Sequence, residues 1–173
     1  QPPKPGAFAP GASFARPDDG YLSRVEPETR KQFEETIGAI EKAGASIHQS
    51  SALSDIDEIA VAHREMIARE FYESHRTLFG EYENLYSEAS SNLYREGQGI
   101  TEAEARAAGA GRMQLRRLLD EELERLGAGA WLSPSAFGTA PKGLLSTGSP
   151  AMNLPWTYAG LPAENVPDRK SVV

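Results

Sequence analysis

Over most of this chain the apolar positions recur at helical rather than alternating spacing. Phe33, Ile37 and Ile40 fall at i, i+4 and i+7, the stripe of an amphipathic helix. That helix is predicted from 27 to about 43. Pro27 suits the first helical position, where a missing N–H costs nothing, and Gly44 can close the last turn. Residues 45–48 then predict a short strand, and a helix–glycine–strand unit is how an α/β fold returns its chain to a sheet. A second helix is predicted to start at Ser54 or Asp55, where Asp55 and Glu58 have the spacing of a capping pair. Ile56, Ile59, Met66, Ile67 and Phe71 supply its buried face. The pattern breaks around Gly80 and resumes through Leu85, Ala89 and Leu93, which predicts two helices or one kinked helix, ended by Gly97 and Gly99.

The third long helix opens at Thr101, where Thr101 and Glu104 form a capping-box spacing. Leu115, Leu118, Leu119, Leu123 and Leu126 predict its core stripe, and Gly127 its end. Its other face carries Arg112, Arg116, Arg117, Asp120, Glu121 and Glu124, a mixed-sign pattern that belongs in solvent. Residues 131–132 predict a short buried strand before Ser133 and Pro134. The prolines and glycines of residues 1–20 leave no amphipathic period and predict an extended opening segment, with a short strand near 12–15. From 135 onward the chain reads as loop. The stretch from Thr147 to Pro162 is rich in residues that fix or free the backbone, and reads as a shaped loop rather than a helix. The Gly-Ala-Gly stretches at 109–111 and 127–129 read as helix ends or loops.

Composition narrows the function. The 173 residues suit about one domain, and the formal net charge of −7 argues against nucleic acid and anionic membranes as partners. No apolar run is long enough for a membrane span. The absence of cysteine removes disulfides, thiolate metal sites and thiol nucleophiles, and is compatible with the reducing cytoplasm. His48, His63 and His75 form no H-E-x-x-H pattern, so no metal is expected. No phosphate-binding glycine motif appears, so no cofactor is expected either. Lys142 and Ser146 stand four residues apart without an oxyanion cradle, and Ser146 reads as a turn hydroxyl. The chain begins at Gln1, which predicts a processed product or a piece of a longer protein, with a trimmed whole protein as the alternative.

Thr147-Gly148, Pro150, Asn153, Pro155-Trp156-Thr157 and Gly160-Leu161-Pro162 resemble the carboxy-terminal segment of the amidase signature family, serine hydrolases of C–N amide bonds. Ala140-Pro141-Lys142-Gly143 is similar to the loop before that motif. The run from Ala105 through Leu126 to Trp131-Leu132-Ser133-Pro134 is similar to the family's long helix and following strand. Gly20-Tyr21-Leu22 through Pro27, with Gly44-Ala45-Ser46-Ile47, is similar to its strand–helix–strand unit. The likeness covers residues from about 10 to 167.

The resemblance implies an α/β fold: a partial amidase-signature fold, mainly helical, with a few strands of a mixed central sheet. Residues 1–20 would lead into it and 21–173 would form the carboxy-terminal portion of one domain. It also implies acyl transfer by a serine, a second serine on a cis peptide and a neutral lysine. Those groups sit in a glycine- and serine-rich loop that this sequence does not contain, so no catalytic residue is carried over. The implied role is the substrate side of a carboxamide hydrolase, silent by itself. Its partners would be a small-molecule amide, the missing amino-terminal half of the same fold and, where apolar faces stay open, a second copy in a homo-oligomer.

The resemblance puts the 147–162 segment beside the active site, with Thr147 and Thr157 offering hydroxyls to substrate. Trp156 either shapes a pocket there or fills core. Phe71, Tyr72, Phe79, Tyr82 and Tyr86 either pack between helices or line the substrate funnel. The segment after Pro162 departs from the family pattern. A non-enzymatic helical interaction module is the alternative reading of the whole chain.

Overall fold

The computed structural model describes residues 11–143 and 148–164. Strand β1 (Ser13–Pro17) and the single turn α1 (Asp19–Leu22) lead into α2 (Pro27–Lys42) and β2 (Ser46–Ser50). Then come α3 (Ile56–Tyr82), a 3₁₀ turn (Glu83–Leu85), α4 (Glu88–Gly99), α5 (Glu102–Leu126), β3 (Ala130–Trp131) and α6 (Leu154–Ala159). The architecture is mainly helical around a small sheet of order β2-β1-β3, and both described strand pairs are parallel. The mixed order expected of a parent sheet is not among these strands. Parallel pairing follows from the connection: α2 carries the chain from the end of β1 back to the start of β2. The middle strand lies inside the stretch that composition marks as extended.

Local chemistry sets the long helices. Pro27 opens α2, and Gly44 at φ +97° follows its end. Thr101 caps α5 as a complete capping box: its Oγ1 accepts from the Glu104 N–H and the Glu104 carboxylate accepts from the Thr101 N–H. Gly127 in the left-handed region ends it. Asp55 precedes α3 but makes no side-chain cap bond. The break near Gly80 resolves into two helices, with α3 running through the glycine to Tyr82 and α4 starting beyond Ser87, whose side chain accepts from the Ser90 N–H.

Helices α3 and α4 form a tight antiparallel pair. Gly97 lies inside α4 and is buried against α3, a packing role that its reading as a helix end does not include. Rings interlock along α3 and across to α4 and the turn between them. Phe79 stacks on Tyr94 at 3.8 Å, Phe71 stacks on His75 at 4.0 Å, and His75 Nδ1 lies 2.7 Å from the Tyr86 hydroxyl. Tyr82, by contrast, is half exposed.

The core gathers Tyr21, Leu22 and Val25 after β1, Leu53 and Ile56 at the start of α3, Leu115 and Leu119 of α5, and Met152, Trp156, Tyr158 and Ala159 around α6. Leu118 is 46% exposed and leaves the predicted stripe. Contact with α3 and α6 covers only a narrow face of α5, and Leu118 lies outside it. Gly109 and Gly111 are also placed differently from expectation, since both lie within α5 rather than at a helix end. The reason at Gly111 is steric: a Cβ there would stand 2.7 Å from the Tyr158 hydroxyl.

Candidate functional site

The segment after Gly148 is where structure departs most from the sequence expectation. Its prolines and glycines predict a loop, yet Leu154–Ala159 is a helix, α6. Pro155 falls in the first turn, where no N–H is needed, and Gly160 at φ +66° supplies the left-handed residue that ends it. The breakers therefore mark the two ends of a short helix. A Cβ at Gly160 would stand 2.5 Å from Arg112 Nη2, the far end of a flexible side chain, so it is the positive φ that calls for glycine here.

Side chains from distant elements fasten α6. The Tyr21 hydroxyl donates to the Met152 carbonyl at 2.9 Å, just ahead of the helix. Asn153 Nδ2 donates to the Ser135 carbonyl at 2.9 Å. The Tyr158 hydroxyl donates to the Ala108 carbonyl of α5, and Arg116 Nη1 donates to the Gly160 carbonyl at 3.0 Å. Arg116 thus places a cation at the negative end of the helix. Burial pushes the Tyr21 hydroxyl far above the usual phenol range, against smaller opposing effects of the Trp156 indole and Arg24. Burial also raises Tyr158.

Of the residues singled out from sequence, Trp156 and Thr157 are neighbours on α6 that point to different sides. Trp156 is 6% exposed and belongs to the core, tilted against Trp131 with ring centroids 5.8 Å apart. Its indole Nε1 is buried and meets no acceptor at bonding geometry. The Tyr21 hydroxyl lies near enough to feel the indole, and its own proton goes to Met152. Thr157 is exposed. Thr147 and Ser146 lie outside the described residues. Tyr21 and Tyr158 hold this region together, and nothing in their sequence surroundings marks them, because each acts across more than a hundred or about fifty positions respectively.

The histidines do not converge. His48 is on β2, His63 meets the Tyr158 ring edge-on at 5.9 Å, and His75 belongs to the α3–α4 ring cluster. Burial lowers His63, with Glu70 opposing the shift. Among the described residues no group of His, Asp and Glu is arranged to hold a metal ion, and no helix is long and apolar enough to cross a membrane. A shallow groove of about 320 Å³ opens on α3 between Asp57, Glu58, Val61, Ala62 and Glu65, and it includes neither Trp156 nor Thr157.

A parallel sheet with crossover helices, closed by a short pinned helix, defines an α/β architecture. Solved structures place it more narrowly. The chain is similar to a crystal structure of an amidase, with TM-score 0.75 and 22% identity, over 95% of this chain and 40% of that one. It is also similar to a bacterial aryl acylamidase belonging to the amidase signature enzymes family, with TM-score 0.60 and 14% identity, over 89% of this chain and 35% of that one. The chain therefore has the fold of amidase signature enzymes over part of their length, and it spans well under half of either relative. No family profile matches the sequence, and no curated protein does either.

Proposed function

We propose that this chain is the substrate-side portion of a carboxamide C–N hydrolase whose reacting serines and lysine lie on other polypeptide of the same fold. The observation that carries this reading is the pinned α6. Held from both ends, it keeps Trp156 packed beneath and Thr157 open to solvent. A rigid wall with an outward hydroxyl is what a substrate-facing surface needs, because positioning fails when the supporting groups are loose. In this reading Trp156 shapes the wall from below, and Thr147 and Thr157 offer hydroxyls to the amide. The structural likeness to amidases supports the assignment, and the chain by itself turns over no amide.

The test starts with the coding DNA upstream of Gln1. An open frame running into a Ser-Ser-Gly loop is expected, and its full product should hydrolyse simple carboxamides without added metal. Thr157→Val in that product should raise KM with little change in kcat. A start codon immediately before Gln1, or amide turnover by the 173-residue chain itself, would overturn the proposal. A second reading, a non-enzymatic interaction module, is favoured by Leu78, Tyr82 and Leu85, which stand 50%, 48% and 74% exposed near the end of α3. The same upstream sequence separates the two.

A further inference from the structure

Tyr158 is the titratable side chain of α6, and it is 1% exposed. Its hydroxyl donates to the Ala108 carbonyl of α5, at a place kept open by Gly111, where a Cβ would stand 2.7 Å from that oxygen. Its ring meets His63 of α3, with centroids 5.9 Å apart and planes at 84°. His63 is partly buried, and among the described residues its imidazole makes no hydrogen bond and no ion pair.

We propose that His63 is a proton-operated latch on α6: the neutral imidazole seats the Tyr158 ring against α3, and protonation loosens that seat and with it the short helix. An imidazolium carries a charge and two N–H donors. The Tyr158 hydroxyl is committed to Ala108, so the contact offers no acceptor, and seating the ring strips water from the charge. Burial accordingly holds His63 below the ordinary histidine range, with Glu70 opposing the shift. α6 is sensitive to such a loss, since it has six residues and no side-chain bond from its N-cap, Asn153. A helix this short stands on tertiary contacts.

The surrounding charges leave the sign unchanged. On α3, Glu70 attracts an imidazolium, but it is exposed and seven residues on, about 10 Å along the helix axis. Glu65 of α3 and Arg112 of α5 bear on Tyr158 with opposite charges. From α4, Glu96 is engaged by Arg64 at 2.6 Å, and Glu83 of the 3₁₀ turn is engaged by Arg95 at 2.6 Å. Tyr158 is raised by burial and stays neutral throughout. A histidine lowered in the folded state stabilises the fold above its ordinary value of 6.5, and that contribution is lost as pH falls through the folded value. Asp57, Glu104 and Glu122 are held below the usual carboxylate range, so a step between about pH 6.5 and about 5 belongs to a histidine. The latch goes beyond the amidase reading and does not depend on it.

NMR titration of the 173-residue chain from about pH 7.5 to about 5 tests it. The reporters are the Gly160 and Leu161 amides, which donate to the Thr157 and Trp156 carbonyls at the end of α6. Their protection against hydrogen exchange, corrected for the intrinsic effect of pH, is expected to fall at least about twofold, with the midpoint of the His63 ring signals. His63→Phe keeps a ring against Tyr158 and removes the proton, so its α6 protection should stay flat over the same interval. If that variant does not fold, the midpoints in the parent decide. Constant protection in the parent, a midpoint that follows His48 or His75, or the same fall in folded His63→Phe would overturn the latch. So would protection that rises on acidification, as a cation held on the face of the Tyr158 ring would produce. Each of these outcomes leaves the amidase reading standing.

Discussion

Gly97 of α4 sits so close to Ala68 of α3 that a Cβ at position 97 would stand 1.8 Å from the Ala68 carbonyl oxygen. The neighbouring atoms are backbone and the Tyr72 Cβ, so no flexible side chain can swing away. Any side chain at 97 must push the two helices apart. Gly97→Ala is therefore expected to destabilise by about 1–3 kcal/mol or more, the range for overpacking. Gly80→Ala is the control: it lies in α3 with open space around it, and should be neutral or stabilising by up to about 1 kcal/mol. Urea midpoints of the two variants check this, and equal effects would contradict the close approach.

Tyr21 and Tyr158 each give a buried hydroxyl to a backbone carbonyl. Phenylalanine keeps the ring and removes the donor. Tyr21→Phe leaves the Met152 carbonyl unpaired in the core and is expected to cost about 1–3 kcal/mol, the desolvation penalty of an unpaired buried group. The Ala108 carbonyl keeps its bond within α5, and Tyr158→Phe is expected to cost about 0.5–1.5 kcal/mol, the net worth of one hydrogen bond. Calorimetric unfolding of each single variant tests the claim. A change within a few tenths of a kcal/mol would mean that the α6 region is not fastened at that point.

Thr101 and Glu104 satisfy each other's first-turn donors at the start of α5. Thr101→Ala should cost about 0.5–2 kcal/mol. Thr101→Ser, which keeps the accepting oxygen, should lose much less. Thermal denaturation of the pair checks it, and equal losses would rule out the cap as the cause.

Features fixed by neighbours in the chain were legible before the fold was known. Thr101, Glu104 and Gly127 bound α5 by chemistry within a turn, and Pro27 and Gly44 do the same for α2. The α6 segment reads as loop in the sequence because proline and glycine punctuate short helices as well as loops, and only tertiary support makes so short a helix stable. Leu118 belongs to an apolar stripe wider than the surface available to cover it. Gly97, Gly111 and the hydroxyls of Tyr21 and Tyr158 matter through partners on other elements, and no local spacing reports that. The likeness of 147–162 to amidases pointed to the fold, while the separation of Trp156 into core and Thr157 into solvent required the helix.

Glu122 ties α5 to the end of β2. Its carboxylate accepts from Ser50 Oγ at 2.6 Å and from Arg125 Nε and Nη2 at 2.7 Å. The Arg125 guanidinium first, and the Ser50 hydroxyl second, hold its pKa down from 4.5 to about 2. A carboxyl whose folded pKa is depressed stabilises the fold fully above its unfolded value and loses that contribution as pH falls through the folded one. The stabilisation from Glu122 is thus complete above about pH 4.5 and drains away toward about pH 2. Arg125 is largely exposed, so solvent and salt reduce the size of the effect without changing its sign. Asp57 and Glu104 are also depressed and add their own acid dependence, so the informative quantity is a difference between proteins. Glu122→Gln, which mimics the protonated acid, should be less stable than the parent near neutrality and converge with it near the acid limit. Urea unfolding of both proteins at neutral pH, near pH 4 and near pH 2.5 measures that gap. A gap that stays constant with pH would show that the carboxylate contributes no charge-dependent stability at this junction.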